Sequence, residues 1–510
     1  MDILERIIEN LTSDEVRRFK ILSNRFKAEE EKKLLLLFNA MRAGDFKEKE
    51  ESVIRQFYGE SGPKARNSYY RLRNKLLNNL EKSLLFYHFN YKNAIESFSN
   101  IQLSILYRER GLYREAYYQL KKAEKVATEY DQFHVLEVIY DEMVKLATYQ
   151  DVEVEEVIAR RRENLKKIDI LRNTSEVLAL ITHQLSRRNY ARSKRSQSVI
   201  ETLEQIREGL EEQQDIFHST SGKIMIMKSV ASILIQKSAY EELADYARAM
   251  LDDFTENKLF SKDNHAIRLM LRIWRINSLQ KVLRLDEAWQ EIGLLWDDLQ
   301  LFKRLHFHEF VFNYYSARIY NLKLSGQLDE AGRSLDEALQ VKDVLTNEVH
   351  EHYLLISLAD QRFSEARYTE ALDVIKRIKA HPVFERRDEE LRCFVHVFEL
   401  VALFEAGQHT RFNTAFRYLR RQFKTLLKDE FYARARKFLD LLQRLNQAAI
   451  EGKKVFLKAA YRHFVRTYPP TEIGDNHIIL YEVYLRARLE EETSYYKLLL
   501  EEIAQRKTQA

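Results

Sequence analysis

Apolar residues recur along this chain at intervals of three and four, the spacing that lines one face of an α-helix. Residues 3–11 place Ile3, Leu4, Ile7, Ile8 and Leu11 on one side. Thr12 and Glu15 then form a capping box, with Leu11 and Val16 as a hydrophobic staple across it. A second helix is expected from Ser13 to about Phe26. Others are expected over roughly 29–43, stopping near Gly44, and 47–58, stopping at Gly59. Pro63 suits the first turn of a fifth, capped by Ser61 or Gly62, and no breaker follows until about His88.

On that fifth helix Tyr69, Leu72, Leu76, Leu80, Leu84 and Tyr87 form an apolar arc. Arg66 and Arg73 fall inside it, so each must snorkel or find a carboxylate partner. Lys64, Arg71, Lys75 and Lys82 fall on a separate narrow stripe with Ser68 and Asn78.

From about residue 92 one phrase recurs. It is clearest at Leu103–Ala123: a helix with Leu103 and Tyr107 at apolar positions, a break at Gly111, an aromatic at Tyr113, then Ala116, Leu120 and Ala123. Copies follow with breaks at Ser238, Leu283, Gly326, Ala366 and Gly407, spaced 45, 43, 40 and 41 residues apart. The phrase resembles the tetratricopeptide (TPR) motif, a helical hairpin whose small residues let its two helices approach. The TPR unit is about 34 residues long, so these hairpins carry longer helices or loops. Between 131 and 213 helices are expected near 131–149, 154–171, 174–187 and 197–213, without a phase on the motif. Pro469-Pro470 breaks the pattern, and two last helices are expected near 476–489 and 491–506, capping the final hairpin.

Composition points the same way. The chain of 510 residues has only 12 Gly and 4 Pro, too few for the turns of a β-sandwich or an α/β enzyme. The expected fold class is all-α: a right-handed α-solenoid of TPR-like helical hairpins (91–468) behind an N-terminal helical bundle (1–90), closed by capping helices (469–510). Acidic residues in the first helix do not suit a secretory signal, and the longest wholly apolar run, Leu34–Phe38, is far short of a membrane span. A cytoplasmic protein with no membrane contact is expected.

Candidate chemistry is sparse. The single cysteine, Cys393, sits among apolar residues and reads as a small buried hydrophobe. His306 and His308, and His350 and His352, are two residues apart, which on a helix points them away from each other, so no metal site is expected. No phosphate-binding glycine loop or nucleophile elbow is present, and no cofactor is expected. Tyrosine pairs such as Tyr69-Tyr70, Tyr117-Tyr118, Tyr314-Tyr315 and Tyr495-Tyr496 read as packing wedges.

Net charge is +5, a near balance that predicts no basic coat over the whole surface. Two local clusters are candidates for contact with nucleic acid or an acidic partner. One is the Lys64, Arg71, Lys75 and Lys82 stripe. The other is Arg187, Arg188, Arg192, Lys194 and Arg195, interleaved by Tyr190, with no acid from 183 to 198. A helical head followed by TPR-like repeats resembles, in outline, bacterial regulators with a DNA-binding head and a repeat sensor. Resemblance to TPR proteins implies a non-catalytic scaffold or adaptor, with a peptide or helix of a protein partner in the concave face. The alternative is a regulator whose helical head binds nucleic acid.

Overall fold

The computed structural model describes residues 3–9, 11, 13–24, 29–42, 50–59, 61–88, 93–149, 153–187, 220–452, 457–468, 479–489 and 494–509. All regular structure among them is helical. The chain divides into two compact units, Met1–Asn173 with Ser219–Ser221, and Thr174–His218 with Gly222–Ala510.

The first unit begins with helices Ile3–Glu9, Ser13–Asn24, Glu29–Arg42, Glu50–Tyr58 and Pro63–His88. They close around their own core, in which Ile8, Phe19, Phe38, Tyr69 and Leu76 are buried and the rings of Phe19 and Phe38 lie 4.7 Å apart. Arg66 is exposed rather than held in the apolar arc, and pairs with Glu51 of the preceding helix at 2.5 Å. Arg73 is half-buried and lies 5.7 Å from the centre of the Tyr69 ring. Helices Asn93–Glu109, Tyr113–Glu129 and Phe133–Leu146 follow, then the start of Val154–Arg187. A second core forms there on Ile101, Ala116, Leu120, Ala123, Ile139 and Met143.

Two expectations need correction here. The stretches near 154–171 and 174–187 form one helix, Val154–Arg187, because no glycine or proline interrupts it. Leu103 is 39% exposed, while Ser97, Asn100 and Ser104 are buried, so the covered side of this helix carries small polar residues beside Ile101. The helix expected near 197–213 lies outside the described residues.

The second unit contains hairpins Thr220–Gln236/Tyr240–Glu256, His265–Lys281/Leu285–Arg304, Phe307–Leu324/Leu328–Ala338, Glu348–Ser364/Tyr368–Ala380 and Glu389–Glu405/His409–Gln422. Ala433–Glu451 and Leu457–Thr467 come next, then Tyr481–Leu489 and Tyr495–Gln509.

Every expected break is a left-handed residue: Gly111, Ser238, Leu283, Gly326, Ala366 and Gly407 have φ between 53° and 82°. Each ends its helix in the same way. At Gly111 its own N–H donates to the Arg108 carbonyl at 3.0 Å, and the Leu112 N–H donates to the Tyr107 carbonyl at 2.9 Å. These two bonds satisfy carbonyls that the helix end leaves open, and they reverse the chain within three residues. Five residues on, Ala116, Leu243, Ala288, Ala331, Ala371 and Phe412 are all buried. Small residues at most of these positions let the paired helices close. Asp131, with φ 50°, makes the same turn and starts Phe133–Leu146, in the stretch the motif could not phase.

Candidate functional site

On the head, Lys64, Arg71 and Lys82 are exposed and Lys75 is half-buried. All four lie along the helix Pro63–His88 at the predicted spacing. Lys64, Arg71 and Lys82 form no ion pair with a described residue. Of the second cluster, Arg187 is the last residue of its helix, and Arg188, Arg192, Lys194 and Arg195 lie outside the described residues.

The histidine pairs separate as their spacing requires. His306 Nδ1 lies 3.0 Å from Glu309, and His350 stacks on Phe312 with ring centres 4.2 Å apart. His352 is buried beside His381 and Phe384, and desolvation, with the His381 and Arg387 charges, pushes its pKa down to about 4. Among the described residues no three His, Cys, Asp or Glu side chains are placed to share a metal ion, and no helix is long and apolar enough to cross a membrane. Cys393 is buried, and burial pushes its thiol up to about 12, so it stays protonated at neutral pH. Tyr69, Tyr314, Tyr315 and Tyr495 are buried wedges, whereas Tyr70 and Tyr118 are exposed.

One concave feature stands out in the second unit. A cavity of about 500 Å³ is lined by Lys379, Phe384, His396, Glu399, Arg411 and Tyr418, among others. Helices Tyr368–Ala380, Glu389–Glu405 and His409–Gln422 supply most of its wall. Lys379 Nζ lies 2.8 Å from both Glu399 oxygens, and His396 Nδ1 lies 3.2 Å from Glu399 Oε2. Burial alone would raise the Glu399 pKa, but the bonds from His396 and Lys379 outweigh it and hold the carboxyl below its usual range. The His396 ring is 5.2 Å from Tyr418 and 6.1 Å from Phe384. Glu399 is thus already engaged, and the second acid of the cavity, the exposed Glu385, pairs with Arg392 at 2.9 Å. What the cavity offers a guest is ring faces, the Thr410 and Thr414 side chains, and the Arg411 cation.

The sequence carries a signal for this region that the two candidate clusters do not include. No acid occurs between Glu405 and Asp429, while Arg411, Arg417, Arg420, Arg421, Lys424 and Lys428 all fall there. The near balance of the whole chain concealed it.

Comparison with family models, with curated proteins and with solved structures finds no match to this chain.

Proposed function

We propose that this chain is a non-catalytic interaction scaffold of the cytoplasm: a right-handed, TPR-like solenoid that receives a helix or peptide of a partner protein in its concave face. The observation that carries this reading is the seat of the chain's own last helices. Tyr496 Oη donates to the Lys323 carbonyl at 2.7 Å, across 173 residues of sequence. The Tyr495 ring stands edge-on to Phe363 at 5.7 Å, and Tyr484 Oη donates to Glu405 at 2.5 Å. Arg488 pairs with the same Glu405 at 3.1 Å. Lys323, Phe363 and Glu405 each lie near the end of the first helix of a successive hairpin. A row of such ends that grips two helices, Tyr481–Leu489 and Tyr495–Gln509, through hydroxyls, rings and an ion pair is suited to gripping others.

A fluorescent peptide of residues 480–509, added in trans, tests this. It should bind a Tyr484→Ala/Tyr496→Ala variant, whose own copy is loosened, more tightly than it binds the parent. Binding to neither protein would remove the reading.

The exposed Lys64, Arg71 and Lys82 favour a second reading, a regulator whose head binds nucleic acid. It requires a salt-sensitive gel shift by the full chain on duplex DNA that is lost when Lys64, Arg71, Lys75 and Lys82 are changed to Glu.

A further inference from the structure

Charge is spread unevenly over this chain. Residues 408–468 hold fifteen Lys or Arg and four Asp or Glu, a net of +11, whereas the whole chain carries +5. The remainder therefore sums to −6. Part of the excess is gathered on one face. Along the helix His409–Gln422, residues Arg411, Thr414, Arg417, Tyr418 and Arg421 fall within an arc of about 120°, and all five are exposed. Lys424 follows in the turn beyond and is exposed too.

The next helix continues that face. Asn446 Nδ2 donates to Asn413 Oδ1 at 3.1 Å, and Arg420 pairs with Asp440, so Ala433–Glu451 runs antiparallel beside His409–Gln422. Lys437 and Arg444 lie one turn either side of Asp440 and border the same seam. Asp440 is the acid of the seam, and Arg420 holds it. Arg411 and Arg417 make hydrogen bonds only to neutral groups, the Gln408 side chain and the Asn413 carbonyl. Arg411, Arg417, Arg421, Lys424, Lys437 and Arg444 form no ion pair with any described residue. Six cations without counter-charge on one surface match a polyanion.

A second observation narrows the class. Tyr418 stands among these cations, is 42% exposed, and lines the cavity of about 500 Å³ together with Arg411, His396 and Phe384; the two acids of that cavity, Glu385 and Glu399, are paired with Arg392 and Lys379. Phosphates need only the cations. A planar base also uses the ring of Tyr418 and the cavity behind it. In a duplex the bases are stacked away from such a ring, and an acidic peptide brings carboxylates without a planar group at each step. We propose that this face binds single-stranded nucleic acid, with phosphates along the Arg411–Arg417–Arg421 row and a base against Tyr418. The site shares no residue with the head stripe or with the seat of the last helices.

Fluorescence anisotropy of the full-length protein with a labelled oligouridylate of about 20 nucleotides tests it. Binding is expected at about 50 mM salt, weakening about fiftyfold by about 200 mM if four phosphates are neutralised. Changing Arg411, Arg417, Arg421 and Arg444 to Glu, with the circular dichroism spectrum unchanged, should weaken binding at low salt more than tenfold. Tyr418→Ala should cost about tenfold and leave the salt slope as it was. Arg417→Gln alone, a mild surface change, should flatten the slope by about 0.7, which keeps the test open should the fourfold variant misfold.

Absence of binding by the parent at low salt overturns the proposal. So does a loss that follows the Lys64/Arg71/Lys75/Lys82→Glu variant and spares the Arg411 set. Polyglutamate binding as tightly as oligouridylate, with Tyr418→Ala indifferent, would assign the face to an acidic protein instead.

Discussion

Asn321 and Leu285 join two neighbouring hairpins through one buried bond: Asn321 Nδ2 donates to the Leu285 carbonyl at 3.2 Å. One hairpin later Gln361 Nε2 makes the same bond to the Leu328 carbonyl at 2.9 Å. Each amide stands five residues before a left-handed turn residue, Gly326 or Ala366. Each carbonyl stands two residues after the preceding one, Leu283 or Gly326. The second helix of one hairpin is thereby pinned to the first helix of the next. Asn321→Leu removes the donor from a site 2% exposed and leaves the Leu285 carbonyl without it, while Gln280 Nε2 loses Asn321 Oδ1 at 3.4 Å but keeps the Ala317 carbonyl at 2.7 Å. A loss of about 1–3 kcal/mol is expected, read as a lower urea midpoint. An unchanged midpoint would show that the pin adds nothing.

Ala366 holds φ 58° in a helix-ending turn, where a Cβ is unfavourable. Its side chain is exposed, so no packing is lost on removal. Ala366→Gly should stabilise by about 0.5–1 kcal/mol, the relief of strain exceeding the added freedom of the unfolded chain. Gly326→Ala should do the reverse. There φ is 82°, and a Cβ would meet Leu500 of the last helix at 3.6 Å. Thermal melts of the two variants should move in opposite directions.

His352 supplies a pH dependence with a defined sign. Its folded pKa of about 4 lies below the ordinary 6.5 because burial disfavours the cation. Below pH 6.5 the unfolded chain takes up a proton that the folded chain refuses. Stability contributed by neutral His352 is thus complete above pH 6.5, falls as pH drops, and levels off below about 4. His352→Phe should flatten the part of the melting profile between those limits, by about 1–3 kcal/mol at the acid end. Parallel profiles for parent and variant would place the acid sensitivity elsewhere.

Ala116 is fully buried where Tyr113–Glu129 meets its partner helix, two positions from Tyr118, which is 68% exposed. Ala116→Trp should overpack the hairpin and cost about 1–3 kcal/mol or more, whereas Tyr118→Trp should be near neutral. Equal melting temperatures for the two variants would mean that the hairpin is not closed by its small residues.

Legibility followed the range of the interaction. The turn at Leu283 was readable although no glycine marks it, because Leu279, Ala288 and Ile292 keep their distances from it. The turn at Asp131 was missed: its neighbours do not repeat the phrase, and only the φ of 50° reveals it. Leu103 was misread because helical periodicity does not say which side of Asn93–Glu109 is covered. Its neighbour Ser104 is the one that is buried. In the candidate site, Arg411, Arg417 and Arg421 were visible as an acid-free run, but Lys437 and Arg444 join them only across the seam with Ala433–Glu451.

At the six recurring breaks, the sequence alone determined where one helix stops, where the next starts and which residue reverses the chain. Those events rest on caps, left-handed residues and side-chain spacings that span about five residues. Only the tertiary structure decided that the last helices return from Tyr496 to Lys323, and that Arg420 spends itself on Asp440 while its neighbours stay uncompensated. These outcomes depend on which faces of distant helices meet. A repeating apolar pattern leaves that open, since any two such faces bury similar area, and packing of named side chains makes the choice.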